Sequence, residues 1–264
     1  MSSAGSPRLV NQRVLVTGAG RGIGRAIALI CSRHGAKVAI VSRTRSELEE
    51  TASLATVAVD ECKDATPPIP MALYVADVTN TSQVEETVKS ICQQWNGIDI
   101  LINNAGCSQK SKGPLETLSS SDLSAVLNLN VVAVHSVTSS VLRHAMLPAK
   151  HGKIVNISSR AGKVGLPNYS HYCASKFALE GLTASLAEEV RDLGIQCNTL
   201  SPGMVNTKSF PKPEGKQGVR SAESVEDALF ALLEGGVSVT GCYVHADELD
   251  EFTSADLYVG YRYC

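Results

Sequence analysis

Tyr172 and Lys176 stand four residues apart in YCASK, inside a stretch whose spacing predicts a helix over residues 169–193. At that spacing both side chains lie on one face, about one turn apart. A free phenol, with a pKa near ~10, moves protons poorly at neutral pH, and a nearby positive charge favours its ionised form. The pair therefore suits general acid/base work, although YxxxK also occurs on surface helices where both residues are merely solvated. Thirteen residues before Tyr172, Ser159 directly follows KIVNIS, whose apolar run predicts a strand over 153–157. Strand C-termini open into the ligand crevice of a parallel sheet. Ser158 is the alternative, and alternation along the strand points only one of the two toward the crevice.

A second cluster lies near the start. Residues 17–25 read TGAGRGIGR, with glycines at 18, 20, 22 and 24. Strict GxGxxG is absent, but GxxxGxG is satisfied by Gly18, Gly22 and Gly24. Glycines let the backbone approach a pyrophosphate, and a helix N-terminus offers free N–H groups and a positive dipole end. An ordinary flexible turn could have this composition; the order strand, turn, helix is what points to a dinucleotide. An NAD-type site places an acid at the end of the second strand, about 20 residues on. Here Ser42, Arg43 and Thr44 follow KVAIV, and the first acid is Glu47. An acid would repel a 2′-phosphate, whereas guanidinium binds it, so Arg43 with Ser42, Thr44 and Arg21 or Arg45 favours NADP(H) over NAD(H).

These residues need a scaffold, and the chain alternates β-branched runs with helical stretches. Strands are predicted over 13–17, 37–41, 71–76, 98–102, 153–157, 195–200 and 239–244, with helices over 23–34, 45–59, 82–95, within 118–147, 169–193 and 225–234. Asn80 or Thr81 caps the third helix, with acids in its first turns. Seven strands alternating with helices imply a Rossmann-type, doubly wound α/β fold, a mostly parallel sheet with helices on both faces. One domain is expected over 13–246, with a flexible tail at 1–12, a C-terminal extension at 247–264, and a long surface loop at 64–70 (DATPPIP).

Composition narrows the classes further. The 264 residues are 44% hydrophobic and 19% charged, with a formal net charge of −2, too apolar for a disordered chain and too balanced for a nucleic-acid footprint. No run approaches the ~20 apolar residues of a membrane span, and the first eleven residues lack a signal-peptide core. Eight cysteines are scattered without CxxC and six histidines without HExxH. Reduced thiols, no metal and a cytoplasmic location are therefore expected.

With these motifs the chain resembles the single-domain branch of the short-chain dehydrogenases/reductases. The resemblance rests on TGAGRGIG at 17–24, Asp77-Val78, NNAG at 103–106, Asn130 in NLNV, NISS at 156–159, YCASK at 172–176 and SPG at 201–203 with Thr207 following. It implies that Tyr172 is the acid/base, that Ser159 supports charge on the substrate oxygen, and that Lys176 binds the nicotinamide ribose and tunes Tyr172. It further implies that Asn130 holds a proton-relaying water, that Gly18, Arg21, Gly22, Ile23 and Gly24 wrap the phosphates, and that Asp77 and Val78 bracket the adenine. Asn104, Ala105 and Gly106 would line the cofactor cleft, and Pro202, Gly203, Val205 and Thr207 would frame the nicotinamide. The implied activity is NADP(H)-dependent interconversion of a carbonyl and an alcohol on a small molecule; the alternative is a catalytically silent NADP(H)-binding regulator. The family commonly forms homodimers or homotetramers through the helices at 118–147 and 169–193. Small residues in the latter (Ala174, Ser175, Ala178, Gly181, Ala184) fit close packing there, or a buried helix in a monomer.

Two segments depart from the family pattern. YVHADELD stands where a DGG-like turn usually ends the last strand, and the acidic 247–256 is a solvated extension, an oligomer contact or a lid. Residues 208–220 (KSFPKPEGKQGVR) are short and basic, through Lys208, Lys212, Lys216 and Arg220: a solvated mobile loop, or a place for an anionic substrate group.

Overall fold

Strands buried at nearly every position are covered on both faces, and five such strands build the centre of the sheet. The strands are β1 (Arg13–Thr17), β2 (Lys37–Ser42), β3 (Ala72–Val75), β4 (Ile100–Asn103), β5 (Gly152–Ile157), β6 (Ile195–Ser201) and β7 (Tyr243–His245). The computed structural model describes residues 8–60, 69–207, 212, 217–236 and 239–248. All seven strands are parallel, in the order β3-β2-β1-β4-β5-β6-β7. Order reverses between β1 and β4, and a doubly wound sheet opens its ligand crevice at that point.

The helices are α1 (Gly22–Arg33), α2 (Arg45–Asp60), α3 (Thr81–Trp95), α4 (Ser120–Leu127), α5 (Ala133–Val141), α6 (Leu147–Ala149), α7 (Ser170–Val190) and α8 (Glu226–Glu234). Strand alternation divides the core in two. Val14, Val16, Ile100 and Ile102 pack toward α1 and α8, while Leu15, Leu101 and Ile154 pack toward α3, α5 and α7. The stretch Ser120–Ala149 is one 30-residue helical run, long and apolar enough to cross a membrane on composition alone. Here it lies against protein instead: α5 packs on α3 and α4 on α7. π turns at Asn128–Val132 and Leu142–Met146 interrupt it.

Several boundaries differ from expectation for local reasons. Asn80 is the cap of α3, its carboxamide oxygen accepting the Gln83 N–H at 3.1 Å, but the first turn holds no acid; Glu85 and Glu86 come later. The last strand starts at Tyr243, not 239. The Asn198 side chain donates to the Val239 carbonyl and accepts the Cys242 N–H, both at 2.9 Å, beside backbone bonds from Gly241 N–H to Cys197 O and from Thr199 N–H to Cys242 O. Of the expected tail, residues 1–7 lie outside the described residues, but 8–12 are docked: Leu9 is buried and its N–H donates to His34 O at 2.8 Å. Most of the 64–70 loop and residues 249–264 are likewise outside the described residues.

Arg13 and Asp99 fix the starts of β1 and β4 in register. The Asp99 carboxylate accepts the Arg13 N–H and Nε–H, each at 2.8 Å, and pairs with the guanidinium at 2.5 Å. Burial works against the Asp99 anion, yet these bonds hold its carboxyl below the ordinary range. A carboxyl depressed in the folded state contributes stability above its unfolded pKa and loses it as pH falls toward the folded one. Asp99→Asn is expected to cost about 2 kcal/mol at neutral pH and to flatten the acid limb of stability against pH, read by urea unfolding.

Candidate active site

The sheet edge at the C-terminal ends of β1, β4, β5 and β6 carries a cavity of about 750 Å³. Ser159, Tyr172 and Lys176 line it together with Ile23, Asn104, Gly106, Pro202, Gly203, Val205 and Thr207. Sequence-distant residues thus meet on one wall because each follows a strand end or opens a helix.

Alternation at the end of β5 separates the two serines. Ser158 turns inward, its hydroxyl bonded to the buried Glu180 carboxylate of α7. Ser159 caps the short turn Arg160–Gly162 and faces Tyr172, to which it is hydrogen bonded. Burial pushes the Tyr172 phenol up to about 12, against the lowering effect of that bond. Lys176 is buried; its Nζ donates to the Ile157 carbonyl at 2.8 Å and lies 5.8 Å from the Tyr172 ring centroid. Burial lowers its ammonium to about 8, while the negative charge of Glu180 acts the other way.

Asn130 sits in the first π turn, buried against the same wall. Its carboxamide accepts the Cys107 N–H at 2.9 Å and donates to Cys107 O at 2.9 Å and Ser175 Oγ at 3.0 Å. The side chain is thus fully engaged, so a relay water at Asn130 would have to bind the main chain of the π turn.

The glycine-rich turn leaves β1 and enters α1 at Gly22. Gly18 has φ +65°, and a Cβ there would come within 2.9 Å of Ala105 Cα. Asn104 ties the two crossings together, donating to Thr17 O at 3.0 Å and Gly18 O at 3.1 Å. Thr17 was not singled out by sequence, yet its hydroxyl accepts the N–H groups of Asn104 and Ala105 at 3.1 Å each. Across the turn, Thr207 stands where a Cβ on Gly22 would reach at 3.3 Å. Arg21, the N-cap of α1, makes no side-chain cap, and the helix opens GIG, so its first N–H groups face this cradle with little side-chain bulk around them. Such a cradle fits a pyrophosphate.

Beyond it, Ser42 and Thr44 bond each other at 3.2 Å, and the Arg43 side chain is 74% exposed, 3.9 Å from Asp77. The Asp77 carboxyl is held below its ordinary range, first by the Thr79 N–H and hydroxyl. Val78 is buried against α3. Spacing did not place Glu47 here, but its carboxylate lies beside Gly20 and pairs with Arg21 at 3.2 Å. An acid at the end of the turn is therefore present, with its charge compensated by Arg21. Arg45 turns away, pairing with Glu49.

The opposite rim is set by the end of β7. Gly203 has φ +72°, and a Cβ there would overlap the Asp247 carboxylate. Asp247 accepts the Met204 N–H at 3.2 Å and pairs with Arg220, so that charge of the basic segment is already matched. Lys212 lines the cavity; Lys208 and Lys216 lie outside the described residues. The six described cysteines are free, and among the described residues no group of three His, Cys, Asp or Glu could hold a metal ion. Cys62 and Cys264 lie outside them.

Residues 12–217 match the profile of the family described as short chain dehydrogenase. The chain is 33% identical to the 3-oxoacyl-acyl-carrier-protein reductase of Thermotoga maritima, over 91% of this chain and 98% of that protein. It is 36% identical to the NADPH-dependent pterin aldehyde reductase of Arabidopsis thaliana, over 78% of this chain and 80% of the other. Among solved structures, an NAD+-bound xylitol dehydrogenase superposes with a TM-score of 0.78 at 27% identity, covering 90% of this chain and 98% of that one.

Proposed function

The chain belongs to the short-chain dehydrogenase family, and on that premise we propose that it is an NADP(H)-dependent oxidoreductase interconverting a ketone or aldehyde and an alcohol. The observation that carries this is the convergence of Ser159, Tyr172 and Lys176 on one cavity wall beside the glycine cradle. NADP(H), when bound, supplies or accepts the hydride; the protein supplies placement and charge.

In this reading the backbone of Gly18, Gly22, Ile23 and Gly24 holds the pyrophosphate. Asp77 and Val78 flank the adenine, Asn104 to Gly106 line the cleft, and Pro202, Gly203, Val205 and Thr207 frame the nicotinamide. Lys176 and Tyr172 meet the adjoining ribose. During reduction Tyr172 donates its proton to the substrate oxygen and Ser159 donates a hydrogen bond to it, stabilising charge where it develops. The Lys176 ammonium stabilises the phenolate left behind, and water at the π turn of Asn130 returns a proton.

The preference for NADP(H) rests on Arg43. Its exposed guanidinium lies 3.9 Å from Asp77 and is open to a 2′-phosphate. Arg43→Asp is expected to shift the NADPH to NADH ratio of kcat/KM by about 10- to 100-fold toward NADH. An unaltered ratio would mean that the 2′-phosphate is held elsewhere.

The activity itself is tested by NADPH consumption across a broad carbonyl panel. Turnover supports the proposal; tight NADPH binding with no turnover on any carbonyl would make the protein a cofactor-binding regulator. Assembly as a homodimer or homotetramer belongs to the same reading. Val132 and Phe177, on the helices concerned, are 54% and 44% exposed. Light scattering on the purified protein reads the assembly.

A further inference from the structure

Helix α7, which presents Tyr172, starts without a local cap. Its N-cap residue is Tyr169, whose side chain makes no capping bond. A helix leaves its first N–H groups without internal partners, and an oxygen from the N-cap side chain usually takes one of them. Here the acceptor comes from elsewhere in the chain. Gln109, on the loop after β4, accepts the Tyr172 N–H on its Oε1 at 3.1 Å.

The rest of that carboxamide is also engaged. Its Nε2 donates to Ser111 O at 2.7 Å and to Asn168 O at 3.0 Å. Asn168 O also accepts the Gly113 N–H at 3.4 Å, and Asn168 itself is in the left-handed region with φ +66°. Only one orientation of the amide fits, because its partners are one N–H and two carbonyls. Gln109 is 5% exposed and is bonded to three backbone groups at the substrate mouth, which Lys112, Leu166 and Tyr169 also line.

We propose that Gln109 is a positioning residue: it caps the catalytic helix from outside and locks the 107–113 loop to Tyr172, so that the substrate wall and the proton donor are set as one unit. This rests on the oxidoreductase reading for its kinetic part only. The carboxamide oxygen holds the backbone of Tyr172; the amide nitrogen holds the loop. The two halves therefore separate by substitution. Gln109→Ala removes both. Gln109→Glu keeps an acceptor for the Tyr172 N–H, favoured by the positive end of the helix, but cannot donate to Ser111 or Asn168.

Amide hydrogen exchange on the cofactor-free full-length protein is the primary test and needs no activity. In Gln109→Ala, exchange is expected to speed up at the Tyr172 amide and across 109–113 while the rest of α7 and the sheet stay protected. In Gln109→Glu the Tyr172 amide stays protected and only 109–113 opens. Where the wild-type protein reduces a carbonyl, Gln109→Ala is expected to lower kcat by about tenfold with NADPH affinity unchanged. Gln109→Glu is expected to raise the carbonyl KM and leave kcat near wild type. Unchanged protection of Tyr172 in Gln109→Ala overturns the proposal. So does an even loss of protection throughout the domain together with lost NADPH binding, which would mark a merely structural residue. Absence of turnover in the wild-type protein would instead bear on the oxidoreductase reading and leave the exchange result standing.

Discussion

Tyr172→Phe is expected to lower the turnover of carbonyl reduction by about 10³-fold while NADPH binds as in the wild type. The phenol oxygen is the only atom lost, and Ser159, Lys176 and the glycine cradle remain. Burial holds the Tyr172 phenol up at about 12, so in the cofactor-free protein it keeps its proton at every ordinary pH. That suits the reducing direction, in which it acts as an acid. In the oxidising direction the same group must first lose its proton, so alcohol oxidation is expected to quicken as pH rises from neutrality and to level off above about 8, where the Lys176 charge is lost. Near-native turnover in the Phe variant, measured by single-turnover kinetics, would remove Tyr172 from the assigned role. Ser159 enters through its bond to the phenol, which lowers the cost of ionisation.

The second large effect belongs to Lys176, and its sign differs between activity and stability. Burial lowers this ammonium to about 8, so the charge that stabilises the Tyr172 phenolate is present below that pH and disappears above it. Lys176→Met is expected to lower kcat/KM for the carbonyl by about 10²-fold or more and to abolish the decline of reduction through the alkaline range. Stability should move the other way. A lysine whose folded pKa lies below its unfolded value binds fewer protons when folded, so between the two values stability rises with pH and below both it is reduced. Keeping this buried ammonium costs about 3 kcal/mol at neutral pH. Removing it is therefore expected to raise Tm, less about 1 kcal/mol for the Ile157 carbonyl left without its donor. A lower Tm in Lys176→Met would contradict this assignment of charge and burial.

The scaffold was legible because its signals are periodic and local. β1, β2 and β5 are apolar at nearly every position, and that pattern fits only a strand covered on both faces. The same held for Tyr172 and Lys176, whose spacing is the pitch of a helix. Where side chains from distant residues hold the backbone, the sequence is silent. Asn198 holds Val239 and Cys242 through its side chain, and regular strand pairing begins only at Tyr243. Gln109 carries no local signal because its three partners lie at Ser111, Asn168 and Tyr172, brought together only by the fold. Asn130 was found by its motif, but its engaged carboxamide depends on Cys107 and Ser175, distant in the chain. Glu47 was read only as a distant acid; the approach of α2 to Gly20 brings its carboxylate to the turn.

The carboxylate of Asp247, set against Gly203 and joined to Arg220 and the Met204 N–H, bears on the timing of assembly. Every residue assigned to proton transfer is made before residue 177, yet the turn that follows β6 is held from later in the chain, by the backbone of Arg220 and by the carboxylate of Asp247. During synthesis the glycine cradle and the tyrosine would emerge long before that clamp. A ribosome-bound chain stopped at about residue 235 is thus expected to contain the proposed acid/base set and the Arg220 pairing, and still to lack the Asp247 contact at Gly203 and Met204.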